Sequence, residues 1–259
     1  MPMRVSALTV TREGALPRLA LAIGDFARQT LPDRELVVVH DGGESFDREV
    51  RDLVERSGVV ATVSREPPGT SLGMLRNRSV ALARGDLVAQ WDDDDRYHPR
   101  RLEIQVGAID RERADFAFLT DQLHYFAAQR MLWWTDWSAE AYPLDFVQGT
   151  LVGRRDRMPA YPDARLGEDT QLCLAIAASG ARIARVRDAG WSVVYVYHGA
   201  NAWPAAHHAA IAAAKRLPDA RLLAREHRLR AELARYEPSL PPLVVPCGPG
   251  AIVIEPAAR

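Results

Sequence analysis

Lysine is almost missing from this chain. Lys215 is the only one, and every other basic side chain except the histidines is arginine. With so many alanines beside it, this bias reflects genome base composition more than function. Net charge is also lacking: 33 Lys and Arg against 34 Asp and Glu leave a formal −1, so no global field favours nucleic acid or an anionic membrane. The two cysteines, Cys173 and Cys247, have no metal-binding spacing and read as a small core residue and a loop residue. No apolar run approaches the ~20 residues needed to cross a bilayer. The amino terminus, Met1-Pro2-Met3-Arg4-Val5, lacks the basic, apolar and small-residue order of a signal peptide. The expectation is a cytoplasmic protein, with peripheral contact at the inner face of the membrane left open. No Ser-His-Asp or Cys-His pattern points to a covalent intermediate, and no internal repeat is visible.

What is there suits one large α/β unit. The 259 residues are 47% hydrophobic and 26% charged, enough for a substantial core. Strand patterns over 5–10, 35–39, 59–63 and 86–91 alternate with helix patterns over 17–29, 46–56 and 71–84, which indicates a parallel sheet. Ser71 is placed to cap the third helix, and Gly58 and Gly85 to stop the second and third. Residues 115–153 are rich in aromatics and suit strands or a hairpin. A helix is expected over 168–179, then strands over 182–186 and 192–197. Residues 204–236 read as helical. The last stretch, with Pro238, Pro241, Pro242, Pro246, Pro249 and Pro256, reads as a tail over the surface.

The most informative feature is the block Asp92-Asp93-Asp94-Asp95 closing the run Gly85-Asp86-Leu87-Val88-Ala89-Gln90-Trp91. Clustered carboxylates repel and call for a counter-ion. Carboxylates at the carboxyl end of a strand in an α/β sheet lie where such sheets bind ligands. In an extended backbone Asp92 and Asp94 share a face, and two hard oxygen ligands there suit Mg²⁺ or Mn²⁺ completed by substrate phosphates. A solvated acidic loop is the bland alternative. A calcium loop of the EF-hand kind fits worse, because Arg96 and Tyr97 stand where an oxygen donor and a glycine are needed.

Several spaced motifs go further. Ser71-Leu72-Gly73-Met74-Leu75-Arg76-Asn77-Arg78, Ala83-Arg84-Gly85-Asp86, Trp91-Asp92-Asp93-Asp94-Asp95, Pro99 and Leu102-Glu103 follow one another in order. This run resembles the family 2 inverting glycosyltransferases of the GT-A fold, over roughly residues 3–200. The resemblance implies a Rossmann-like nucleotide-binding half with a central, mostly parallel sheet (1–103), merged with an acceptor-side mixed β region (104–200). Residues 201–259 are left as a helical extension with a Pro-rich tail. It further implies a hexosyl-type transferase using a nucleotide-sugar, UDP by default, with Mn²⁺ or Mg²⁺. The acceptor would be a glycan, a lipid-linked or a small-molecule hydroxyl. Thr11, Asp41, Arg76, Asp92 and Asp93 would line the donor pocket, and Asp94 would hold the metal on the diphosphate. Glu168-Asp169-Thr170-Gln171-Leu172 is similar to the family's Glu-Asp-x-x-Leu, which makes Glu168 and Asp169 the catalytic pair with Asp169 as general base. His198 matches a further metal ligand in some GT-A enzymes.

Each residue also has a plainer reading. Glu168 and Asp169 suit a helix start, Arg76 an exposed helix arginine, and His198 a structural histidine. His207-His208 is expected on a helix without metal. Trp133, Trp134 and Trp137 are either an acceptor platform or core. The chain departs from the family pattern at Val10-Thr11-Arg12-Glu13, at His40-Asp41-Gly42-Gly43 and at Ala175, which bears on base and acceptor choice. A nucleotidyltransferase is a rival on a similar sheet, though no Gly-rich phosphate loop precedes the first helix. A non-catalytic sugar-nucleotide or glycan binder is another. The arginine- and leucine-rich stretch 217–236, with Leu222, Leu229 and Leu233, admits either a membrane surface or packing on its own domain.

Overall fold

Short β-branched runs that alternate with amphipathic helices fold into a right-handed parallel layer, because each helix must return the chain to the same end of the sheet. A computed structural model describes residues 3–255 of the chain. Its elements begin with β1 (Val5–Thr11), α1 (Leu16–Ala27), β2 (Arg34–His40), α2 (Glu44–Ser57), β3 (Ala61–Arg65), α3 (Leu72–Leu82) and β4 (Leu87–Gln90). They continue through β5 (Arg96–Tyr97), α4 (Arg101–Glu112), β6 (Phe116–Leu119), β7 (Asp121–Phe126), β8 (Met131–Asp136), β9 (Val152–Arg154), α5 (Glu168–Ala178), β10 (Ile183–Val186) and β11 (Val193–Tyr197). The chain closes with α6 (Ala205–Lys215), α7 (Asp219–Leu223), α8 (Glu226–Leu233), β12 (Leu243–Cys247) and β13 (Gly250–Ile254).

Two sheets result. The first has the order β10-β6-β9-β4-β1-β2-β3, parallel except for β9, which runs antiparallel between β4 and β6. Its central strands are buried and mostly apolar, with Leu36 to Val39 fully buried, as a sheet covered on both faces requires. The second sheet is mixed, in the order β13-β12-β8-β7-β11-β5. This is the expected GT-A architecture of a mostly parallel sheet joined to a mixed one. Among the described residues no helix is long and apolar enough to cross a membrane.

Four expectations change. The third helix ends at Leu82, and Gly85 is not its stop. Gly85 instead passes so close to β1 that a Cβ would lie 2.7 Å from both the Arg4 carbonyl and the Ser6 nitrogen, which only glycine tolerates. Strand β4 stops at Gln90, so the aspartates form a turn rather than an extended run, and Asp92 and Asp94 do not share a face by strand alternation. The expected helical stretch 204–236 divides into α6, α7 and α8, broken at Arg216–Pro218 and around Arg225. The Pro-rich end is a hairpin, not a surface tail. In β12 and β13, Leu243, Val245, Ile252 and Ile254 point inward while Val244 and Val253 point outward. Period-two alternation outweighed the prolines, because Pro246 occupies a strand position beside the turn and Pro249 lies within the turn itself. Cys247 accordingly ends a strand rather than sitting in a loop. Pro256, like Met1 and Pro2, lies outside the described residues.

The same hairpin closes a core with Leu222, Leu229, Leu233, Trp134 and Trp191. Those three leucines are 0–4% exposed, so they pack on their own domain and are not free to face a membrane. Trp134 is core, while Trp133 and Trp137 remain partly exposed.

The hairpin gives a differential test. Leu243→Ala is expected to cost about 2–5 kcal/mol, whereas Val244→Ala, one residue along and outward-facing, should stay within about 0.5 kcal/mol. Urea unfolding of both variants checks the register, and equal losses would contradict it.

Candidate active site

The aspartate turn is fixed at both ends by α1. Before it, the buried Trp91 ring donates its Nε1–H to the Ala22 carbonyl (3.0 Å) and meets Phe26 edge-on. After it, Asp25 of α1, 1% exposed, accepts from Arg96 Nε (2.8 Å), Arg28 Nη2 (2.7 Å) and the Tyr97 amide (2.9 Å). A buried carboxylate with this many donors is satisfied, and its geometry is rigid.

Between these anchors each aspartate has a different partner. Asp92 accepts from Arg76 Nη2 (3.1 Å) and Gln90 Nε2 (2.9 Å), while its carbonyl accepts from the Tyr97 hydroxyl (3.1 Å). Asp93 accepts from the Thr11 hydroxyl at the end of β1 (2.5 Å). Asp94 Oδ2 lies 3.0 Å from His198 Nε2, in the loop after β11. Asp95 is buried and accepts from the Val196 amide (2.9 Å). Burial, then the charges of Asp94 and Asp92, push Asp93 up to about 7 against the Thr11 hydrogen bond. Burial and the same two neighbours hold Asp95 well above the usual carboxylate range.

Arg76 joins the two halves of the site. The plainer reading of Arg76 as an exposed helix arginine is overturned: its guanidinium is buried between Asp92 and Glu168, whose Oε1 accepts from Nε at 3.1 Å. Burial alone would weaken the cation, but Asp92, Tyr161, Glu168 and Asp169 together raise its pKa above that of ordinary arginine. Glu168 is therefore a buried ion-pair partner, pushed up by burial and held back by Arg76. Asp169, next in α5, is partly exposed and uses Oδ1 for the Thr170 amide (2.7 Å). The Thr170 hydroxyl donates to Gln148 Oε1 (2.8 Å) in the turn Gln148–Thr150, which passes over Asp92. A Cβ on Gly149 there would lie 3.9 Å from Asp92 Oδ2.

The motif residues around Arg76 explain how α5 reaches it. Asn77 pairs with both backbone groups of Tyr161, donating to its carbonyl (2.9 Å) and accepting from its amide (2.8 Å). The Gly73 amide donates to the Ala164 carbonyl (3.0 Å), and a Cβ at Gly73 would fall 1.9 Å from the Pro162 carbonyl oxygen. The segment that leads into Glu168 and Asp169 is thus laid along α3 with no room for a side chain at residue 73.

Of the other expected residues, Asp41 stands at the end of β2 and accepts from the Gly69 amide (2.9 Å), apart from the aspartate contacts. His208 is buried in α6 against His124. Sequence reasoning gave no role to Gln90, Gln148, Asp25 or Arg101. Arg101 is fully buried below the turn, 4.5 Å from the Tyr97 ring centre and 5.1 Å from that of Trp91, and its two Nη atoms find no acceptor among the described residues. Its only sequence signal was its place inside the Pro-x-x-Leu-Glu run.

As a metal site, the turn offers Asp94 and His198 facing each other, and no cluster of three or more His, Cys, Asp or Glu ligands occurs among the described residues. Two protein donors fit an ion that takes its remaining ligands from phosphate and water, as Mg²⁺ and Mn²⁺ do.

A mostly parallel sheet with a carboxylate turn at its carboxyl edge, joined to a mixed sheet, defines a GT-A fold. Solved structures agree on the fold. S. aureus TarS 1–349 in complex with UDP-GlcNAc superposes with TM-score 0.59 at 16% identity, covering 91% of this chain and 68% of that one. GalNAc-T7 with UDP, GalNAc and Mn²⁺ gives 0.58 at 14% identity, covering 75% and 43%. The family model for Glycosyl transferase family 2 matches residues 7–152, and the chain belongs to that family. It is 32% identical over 124 residues to the uncharacterized glycosyltransferase YwdF of Bacillus subtilis, covering 44% of this chain and 40% of YwdF. It is 24% identical over 106 residues to a cholesterol galactosyltransferase of Borreliella burgdorferi, covering 40% and 29%. The matches span less than half the length of these curated relatives.

The raised Asp93 predicts a pH effect in metal-free protein. A carboxyl raised on folding contributes stability that is full below its unfolded value of about 4 and is lost as pH rises through about 7. In EDTA the thermal midpoint should therefore fall between pH 5 and pH 8, and Asp93→Asn should flatten that fall. An identical slope in the variant would contradict the assignment.

Proposed function

We propose that the chain is a metal-dependent, inverting glycosyltransferase that moves a hexosyl group from a nucleoside-diphosphate sugar to an acceptor hydroxyl. The observation that carries this reading is the pairing of Asp94 with His198 on the same turn whose Asp92 is tied through Arg76 to the start of α5. Donor-side charge and acceptor-side carboxylate then face one site. The relatives support the donor class: TarS was solved with UDP-GlcNAc, and GalNAc-T7 with UDP and Mn²⁺. UDP is the nucleotide we favour.

In this reading Asp169 is the general base. Its Oδ1 is occupied by the Thr170 amide, which leaves Oδ2 to take the proton of the acceptor hydroxyl. The hydroxyl oxygen bonds to the anomeric carbon from the face opposite the diphosphate. The bond from that carbon to the diphosphate oxygen breaks, and the nucleoside diphosphate departs with its electron pair. Asp94 and His198 would hold a divalent ion, which when bound would supply positive charge to offset the leaving group. Arg76 and Glu168 hold the start of α5 beside Asp92, while Asp92 and Asp93 shape the donor floor with Thr11.

The test separates binding from turnover. With Mn²⁺ present, Asp169→Asn should bind UDP within about twofold of wild type and lose ~10²–10⁴ in UDP release from its UDP-sugar. Asp94→Asn should lose the Mn²⁺-dependent part of UDP binding. An Asp169→Asn enzyme that turns over normally would overturn the base assignment, and metal-independent binding of UDP would overturn the donor site.

A further inference from the structure

A cavity of about 430 Å³ lies between the β7–β8 hairpin and α6, within the size range of small-molecule sites. One wall is Phe126, Met131 and Trp133, and the opposite wall is Ala209, Ala212 and Ala213 of α6. These alanines stand at i, i+3 and i+4, on one helix face, and their small side chains leave open the space across from the indole. Met131 and Trp133 stay partly exposed as a result. The polar groups at the rim are Gln129 and Arg216. Arg216 donates to Asp219 (2.8 Å), so its charge is already answered, and its guanidinium lies 5.8 Å from the Trp133 ring centre. The chemistry that matches such a lining is neutral and apolar, with room for a hydrogen-bonding group at the mouth.

Its position relates it to the active site. Phe126 ends β7 and is the register partner of Tyr197, which ends the parallel strand β11, and their ring centres are 5.6 Å apart. The next residue is His198, whose imidazole meets Asp94. Asn201 fixes that junction by accepting from the His198 amide (2.8 Å) and donating to the Val196 carbonyl (3.0 Å). Cavity and aspartate turn therefore lie at the same carboxyl-end edge of β7 and β11, one strand apart.

We propose that this cavity receives the apolar body of the acceptor, a neutral lipid-like alcohol or glycoside, and so sets the substrate class. The inference rests on the glycosyl-transfer reading for its meaning but makes its own binding prediction. A headgroup with its hydroxyl at the aspartate turn would keep its hydrocarbon portion against Trp133 and the α6 alanines.

Alkyl glucosides of increasing chain length test it. Calorimetric titration with methyl, hexyl, octyl and decyl β-D-glucoside, each kept below its micellar concentration, should show affinity rising by about two- to fourfold per added methylene. Ala213→Phe, and Ala209→Phe as an independent second filler on the exposed helix face, should flatten this dependence to near that of the methyl compound. Mn²⁺-dependent UDP binding, measured on the same samples, should be unchanged in both. An absent chain-length dependence, or one that both variants retain, would overturn the proposal while leaving the donor site standing. A full chain-length response without UDP binding would uphold the cavity and sink the transferase reading instead. Light scattering guards against another occupant: a doubled mass that reverts in Ala213→Phe would mean a second copy of the chain fills the cavity, and would overturn the proposal too.

Discussion

Four successive carboxylates repel one another, and burial strengthens that repulsion by removing the water that would screen it. The fold meets this by giving every aspartate its own partner from a distant element: α3 for Asp92, β1 for Asp93, the loop after β11 for Asp94 and the β11 backbone for Asp95. Helix α1 holds the turn at both ends through Ala22 and Asp25. Elements spread over nearly two hundred residues converge on four side chains, so the site and the fold are one arrangement. Burial first, and then the repulsion that remains, raises Asp93 and Asp95, and a divalent cation would relieve the second of these.

Arg76 extends this arrangement across the molecule. One guanidinium, buried, binds Asp92 of the turn and Glu168 of α5, and breaking such a pair leaves a buried charge uncompensated. Gly73, one turn before Arg76 on α3, and Asn77, the next residue, hold the approach to α5 by backbone contacts. The Gly-x-x-Arg-Asn spacing of Gly73, Arg76 and Asn77 therefore has a mechanical meaning in this chain: close approach, charge link and backbone clamp on one helix face. Asp169 inherits its placement from these three contacts, which is the preorganisation that the proposed role of general base would require.

Most of the first hundred residues could be read from local pattern. The parallel strands are mostly apolar and β-branched, α1 and α2 carry amphipathic spacing, and Ser71 does cap α3 by accepting from the Met74 amide (3.3 Å). The motif run and the two acidic clusters were legible for the same reason, since their residues are neighbours in sequence. What escaped was non-local. Nothing near Arg76 announces Glu168, 92 residues away, and nothing near Asp94 fixes the side-chain direction of His198. Nothing local to α1 announces that Asp25 meets Arg96 and Tyr97 of β5. The terminal hairpin was misread because prolines were weighed above the alternation of Leu243, Val245, Ile252 and Ile254. Gly85 was read as a helix stop because its closeness to β1 depends on a strand eighty residues earlier.

The central claim is that this turn, with His198, holds a divalent ion against a nucleoside diphosphate. Its most direct measurement is a Mn²⁺ titration followed by the electron paramagnetic resonance of the free ion, with UDP present, for wild type and His198→Ala. The account predicts loss of the free-ion signal to one equivalent per wild-type chain and markedly weaker uptake in the variant. Mn²⁺ that stays free beside wild type and UDP, or that binds equally well without the imidazole, would contradict it.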